Sequence, residues 1–157
     1  MQAIGFYLAL PFLYLISILP QWMLYGLSDF ICFLLFHVVG YRKKVVQQNL
    51  RNAFPDKTDA ERDLIMRDFY HYLCDLFLET FKTLTMSKSF ALRHCTFNDQ
   101  ALKLFDHYFQ LKKSVIIVMG HFGNWEWSGN AFSLQCRQQL YAIYHPLVNP
   151  YYNKLIV

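Results

Sequence analysis

His121 and Glu126 are the pair whose residue types and spacing could move a proton. They lie in the segment Met119-Gly120-His121-Phe122-Gly123-Asn124-Trp125-Glu126-Trp127. A free imidazole titrates near pH 6.5 and can take the proton of an attacking hydroxyl. A neighbouring carboxylate would hold its tautomer and stabilise its cation. On one continuous helix, five residues turn through about 500°, which leaves the two groups about 140° apart. They converge only if His121 sits in a turn and Glu126 in the first turn or two of the helix that follows. Gly120 and Gly123 supply backbone freedom for such a turn. The spacing argues against a helical H-E-x-x-H zinc site, whose two histidines stand four apart. No metal is expected. Taken alone, the spacing leaves two readings open, an acid–base pair or a satisfied polar pair on a glycine-shaped turn.

The elements around the pair must position it. Ser114 to Met119 is a continuous apolar run rich in β-branched residues, the pattern of a strand buried on both faces. Trp125 to about Gln138 reads as a helix, and Leu140 to Tyr144 as a further strand. Upstream, Ala91 to Phe97 reads as a weak strand, and Asn98 can cap a helix to about Leu111. Strand, helix, strand, helix, strand predicts an α/β sheet. In an open α/β sheet, ligands gather at the carboxyl ends of strands, where His121 would stand.

Composition separates two regions. The 157 residues are 55% hydrophobic and 18% aromatic, with 15 Lys and Arg against 11 Asp and Glu. So few charges and so many aromatics exclude a disordered chain, a coiled coil and a disulfide mini-scaffold. Residues 1 to 41 contain one charged side chain, Asp29, so the overall charge of +4 becomes +5 for the remainder. Ile4 to Leu19 and Trp22 to Val39 are apolar runs separated by Pro20 and Gln21. Each is near the lower limit of about 17 residues for crossing a bilayer core. Pro11 should kink the first run. Arg42, Lys43 and Lys44 follow at once and by the positive-inside rule mark the cytoplasmic side. The expected organisation is a membrane anchor over residues 1–40 and a basic globular part over 41–157. The positive charge clusters beside the membrane run and no nucleic-acid motif accompanies it, so no nucleic-acid partner is expected.

Tyr41 to Phe54 reads as a basic amphipathic helix ending before Pro55. Thr58-Asp59-Ala60-Glu61 has the form of a capping box and should open a helix to about Thr85. His71 and Asp75 stand four apart on that helix and read as a surface pair. His94 and Cys95 are neighbours in the predicted strand and point to opposite faces. Neither pair is assigned chemistry. Cys32, Cys74, Cys95 and Cys136 have no C-x-x-C spacing and read as isolated buried thiols.

Gly120-His121-Phe122-Gly123-Asn124-Trp125-Glu126 resembles the H-x4-[DE] motif of glycerolipid-type acyltransferases. It is closer to the H-[FY]-G-N-W-E form of the bacterial lipid A biosynthesis acyltransferase family, the lauroyl and myristoyl transferases of the lysophospholipid acyltransferase superfamily. Other segments agree in order. Residues 4 to 39 resemble the family's hydrophobic anchor. Asn49-Leu50-Arg51-Asn52-Ala53-Phe54-Pro55 resembles its N-L-x-x-x-F-P, and Asp59 to Leu84 its acidic helix. Tyr144-His145-Pro146-Leu147-Val148-Asn149-Pro150 resembles its Y-R-P-x-x-N-P.

This resemblance implies an α/β fold, with N-terminal hydrophobic membrane helices followed by a glycerolipid-acyltransferase-like sheet domain. Family members are considerably longer, so that domain is expected to be incomplete and the chain to resemble an N-terminal half. The implied reaction moves a fatty acyl group from acyl carrier protein to a hydroxyl of the Kdo-modified lipid A precursor, with no bound cofactor. His121 is then the general base and Glu126 its orienting carboxylate. Backbone N–H groups around Gly123 and Asn124 would meet the tetrahedral oxyanion. His145 stands where the family usually has Arg, which weakens anion binding inferred there. The implied location is the inner membrane, with the catalytic part on its cytoplasmic side. Two alternatives are a related acyltransferase with another lipid acceptor, and an inactive truncated membrane protein of the same family.

Overall fold

The computed structural model describes residues 2–120 and 122–156. It contains helices α1 (Gln2–Ile18), α2 (Gln21–Phe33) with a π-helical extension (Leu34–Val39), α3 (Lys43–Ala53), α4 (Asp59–Lys82), α5 (Lys88–His94), α6 (Asp99–Gln110), α7 (Trp125–Gln135) and α8 (Pro150–Ile156). They belong to two compact units. Ile18–Phe81 forms one, and Met1–Ser17 with Lys82–Val157 forms the other.

No β-strand occurs among the described residues, and the α/β sheet predicted from the sequence is thereby corrected. Its three strands fail for two reasons. Ala91 to His94 is helical because Ser87 caps α5, its hydroxyl accepting from the Phe90 N–H at 3.2 Å. Ala91, Leu92 and Arg93 are good helix formers, and the local cap prevails over a weak strand pattern. Residues 114–119 and 140–144 are irregular backbone with no ladder. Strand composition is local, but a strand exists only through cross-strand pairing. Without it Ile116 and Val118 stand 89% and 91% exposed.

Unit Ile18–Phe81 is organised where α2 and its extension meet α4. Cys32 and Phe36 form one buried cluster with Met66, Tyr70 and Cys74, supported by Ile31, Leu35, Val46 and Leu50. Tyr70 is fully buried, its ring edge-on to Phe36 at 5.3 Å, and its hydroxyl donates to the Tyr41 carbonyl. Gly40 takes a left-handed φ of 64° that ends the π-helical turn. Gln21–Val39 is the one described helix long and apolar enough to cross a membrane; Ala3–Ile18 is apolar but shorter.

The capping box forms as its spacing predicts. Glu61 N–H donates to Thr58 Oγ1 at 3.3 Å, while Glu61 Oε2 accepts from Thr58 N–H and from the Thr58 hydroxyl, both at 2.8 Å. The Thr58 N–H, followed by its hydroxyl, holds the Glu61 carboxyl below the usual carboxylate range. A depressed folded value means that this contribution is complete above the unfolded value of about 4.3 and is lost as pH falls through the folded one. Thr58→Ala should lower stability by about 1 kcal/mol, read from the denaturant midpoint at neutral pH.

All four cysteines are free, with Cys32 and Cys74 buried and Cys95 and Cys136 half-buried. Burial first, then the neighbouring Cys32, pushes the Cys74 thiol up to about 11 from an ordinary 9.0. Two pH units remove about 99% of the reactive thiolate. Native Cys74 should therefore react with iodoacetamide about 100-fold more slowly than in denaturant, a ratio readable by mass spectrometry.

In the second unit, α1 packs on α8. Phe6 stacks on Tyr151 at 5.6 Å and meets Tyr152 edge-on at 5.0 Å. The α1 helix continues past Pro11. Ser17 O accepts from the Thr85 hydroxyl at 2.8 Å and from Lys82 Nζ at 2.9 Å, which ties the end of α1 to the segment after α4.

Candidate active site at the start of helix α7

The loop before α7 ends on two residues that set its entry. Gly123 takes φ +65°, a left-handed conformation that strains any residue with a Cβ. Asn124 is the N-cap, its Oδ1 accepting from the Trp127 N–H at 3.0 Å. The Asn124 side chain is thus committed to starting the helix. Upstream, Phe122 N–H donates to the Gly120 carbonyl at 2.9 Å. His121 lies outside the described residues.

Glu126 is in the first turn of α7 and exposed. Its carboxylate makes no ion pair or hydrogen bond among the described residues, and its carbonyl accepts from Asn130 Nδ2 at 3.4 Å. Together with Asn130 and Ser133 it forms the outer face of α7. A cavity of about 200 Å³ borders that face, lined by Asn130 and Ser133 with Thr83, Met86, Ser87 and Lys88 among others.

The inner face of α7 explains why the outer one is rigidly presented. Trp127, Ala131 and Phe132 are buried. The Trp127 ring meets Phe90 edge-on at 5.6 Å and His94 at 5.9 Å, and those two α5 rings stack on each other at 4.1 Å. Phe132 meets Phe105 at 5.1 Å and Phe97 at 6.1 Å. Gln135 bridges to the segment after α5, with its Oε1 accepting from the Phe97 N–H at 3.3 Å. Buried aromatic surface and edge-to-face pairing therefore fix the helix that carries Glu126. Sequence reasoning missed this support because Phe90 and His94 become neighbours only on a helix, and Ala91 to Phe97 read as a strand.

His145 is exposed, with Nδ1 3.0 Å from the Pro146 carbonyl. Around it, Leu147 N–H donates to Asn153 Oδ1 at 2.9 Å, and Asn153 Nδ2 donates to the Tyr144 hydroxyl at 3.3 Å. Asn149 Oδ1 accepts from the Tyr151 N–H at 3.0 Å and Pro150 opens α8. Asn followed by Pro is a helix-start signature present in the sequence and not used in reading it.

The family model described as bacterial lipid A biosynthesis acyltransferase matches residues 1–157. The chain belongs to that family. It is an acyltransferase by class, and its H-F-G-N-W-E segment is centred on the turn that opens α7. No curated protein and no solved structure matches the chain significantly. Among the described residues of this acyltransferase, no three His, Cys, Asp or Glu side chains come together in a way that could hold a metal ion.

Proposed function

We propose that this lipid A biosynthesis acyltransferase moves a fatty acyl group from acyl carrier protein to a hydroxyl of the Kdo-modified lipid A precursor, at the cytoplasmic face of the inner membrane. The observation that carries the reading is the placement of Glu126 in the first turn of α7, behind the left-handed Gly123 and the Asn124 cap. The sequence spacing requires that arrangement if Glu126 is to meet an imidazole at position 121.

His121 takes the proton of the acceptor hydroxyl as its oxygen attacks the thioester carbonyl, and Glu126 holds the imidazole and stabilises its cation. The negative oxygen that develops on the carbonyl carbon is met by backbone N–H groups around Gly123 and Asn124, at the positive end of the α7 dipole. Collapse of the intermediate expels the carrier thiolate, which recovers a proton from the imidazolium. His145 contributes to substrate binding downstream of α7. The acyl carrier is acidic, and the +5 charge beyond residue 41 attracts it, a rate effect that salt weakens.

Transfer of radiolabelled acyl chains from acyl carrier protein to the isolated lipid acceptor tests the reading. Label should enter the acceptor, and His121→Ala and Glu126→Ala should each abolish that incorporation. Near-normal turnover in both variants would refute the assigned roles. Transfer to a different lipid, with none to the lipid A precursor, would refute the acceptor.

A further inference from the structure

Gln21–Val39 is long and apolar enough to cross a bilayer, but the helix it packs against opposes that. One side of it, carrying Leu24, Ser28, Cys32 and Phe36, is buried. Cys32 and Phe36 share a core cluster with Met66, Tyr70 and Cys74 of α4. At the flanks, the Tyr25 hydroxyl donates to Glu79 Oε1 at 2.7 Å, and Asp29 Oδ1 lies 3.4 Å from His71 Nδ1. The contact runs from Tyr25 to Phe36 on one helix and from Glu79 back to Met66 on the other, about 17–20 Å at 1.5 Å per residue. Over that length α4 carries Arg67, Asp68, His71, Asp75 and Glu79. Packed in this way, a span across the hydrocarbon would draw those groups in with it, and ionisable residues are among the costliest to place there.

The opposite side of Gln21–Val39 presents Trp22, Phe30 and Phe33, which are 75%, 58% and 55% exposed. Beyond Gly40 the chain enters α3 through Arg42, Lys43 and Lys44, and no acidic side chain occurs between residues 41 and 55. Lys43 Nζ lies 3.7 Å over the Phe36 ring, on the side turned to α4, while Arg42 and Lys44 are exposed. An aromatic face ending in a run of cations complements an anionic leaflet. The rings enter the headgroup–acyl boundary and the exposed Arg42 and Lys44 meet phosphates.

We propose that residues 21–44 form an in-plane membrane element. Its Trp22, Phe30 and Phe33 face is embedded in one anionic phospholipid leaflet, the Asp29 flank and α4 stay in water, and the chain does not cross the bilayer here. This rests on the reading of the enzyme as membrane-bound and adds how it is held.

Single cysteines replacing Asp29, Phe33 or Gln48 in the whole chain, bound to sealed native membrane vesicles, test the proposal with a membrane-impermeant maleimide. Rates are corrected for the four native cysteines and referenced to full labelling in denaturant. Asp29→Cys and Gln48→Cys should react from the same vesicle face within tenfold of one another, and Phe33→Cys at least tenfold more slowly than Asp29→Cys. Protection of Asp29→Cys equal to that of Phe33→Cys, or access to the two polar sites from opposite faces, overturns the proposal. So does Phe33→Cys reacting as fast as Asp29→Cys.

A second measurement guards against local perturbation. Phe30→Glu with Phe33→Glu should weaken co-sedimentation with phosphatidylglycerol vesicles at least tenfold, and unchanged binding overturns the proposal. Labelling is independent of turnover. Opposite-face access with normal His121-dependent transfer removes this inference alone, whereas inactive chain with same-face access removes the proposed reaction alone.

Discussion

Replacing His121 by alanine is expected to lower acyl transfer by about 10²–10⁴-fold, the range that a positioned general base contributes. A lipid hydroxyl is a poor nucleophile at neutral pH, and without the imidazole no positioned base takes its proton. The loss should fall on kcat and on kcat/KM together, because proton removal belongs to the transition state and not to binding. Glu126→Gln separates charge from size. A carboxylate beside an imidazole favours the cation, so its removal should move the acid limb of the kcat/KM profile to lower pH as well as reducing the rate. A Glu126 that only stabilised the start of α7 would leave that limb in place. The Asn124 cap gives a contrasting case. Loss of its bond to the Trp127 N–H should act through helix stability, with no change in the limb.

Tyr70→Ala is expected to destabilise the Ile18–Phe81 unit by about 3–5 kcal/mol, the usual cost of emptying a buried aromatic site. Tyr70 is fully buried at the centre of the α2–α4 cluster, between Phe36 and Met66. Its hydroxyl serves the Tyr41 carbonyl, at the turn where the chain leaves the apolar helix for the basic one. Tyr70→Phe keeps the ring packing and leaves that carbonyl short of a donor, so about 1–3 kcal/mol should be lost. Denaturant midpoints in detergent, followed by circular dichroism, check both values. Equal losses in the two variants would mean that the hydrogen bond dominates the packing.

Three helices were legible from local start signals, whereas α5, capped just as locally by Ser87, read as a strand. Thr58 with Glu61, Asn98 before α6 and Asn124 before α7 each bond to a backbone N–H three residues ahead. Such bonds need nothing from the rest of the chain. The start of α7 at Trp125, behind the left-handed Gly123, was legible for the same reason, and it places Glu126 in the first turn; His121 itself lies outside the described residues. Strands were not legible. The β-branched run from Val115 to Val118 specifies what a strand would look like, but its existence depends on a partner elsewhere, and none pairs with it among the described residues. The α5 rings behind Trp127 were hidden for a related reason, since one wrong period removes every i, i+4 relation in the segment.

By itself the sequence determined the family and where α4, α6 and α7 begin, and it singled out the pair of residues in the proposed chemistry, because motifs and caps are written in neighbours. Only tertiary structure decided which side of the apolar helix faces α4, which aromatic rings hold α7, and that the β-branched run has no strand partner among the described residues. Those outcomes depend on contacts between residues far apart in the chain, where burial and hydrogen-bond pairing are settled by the whole unit and not by any window of sequence.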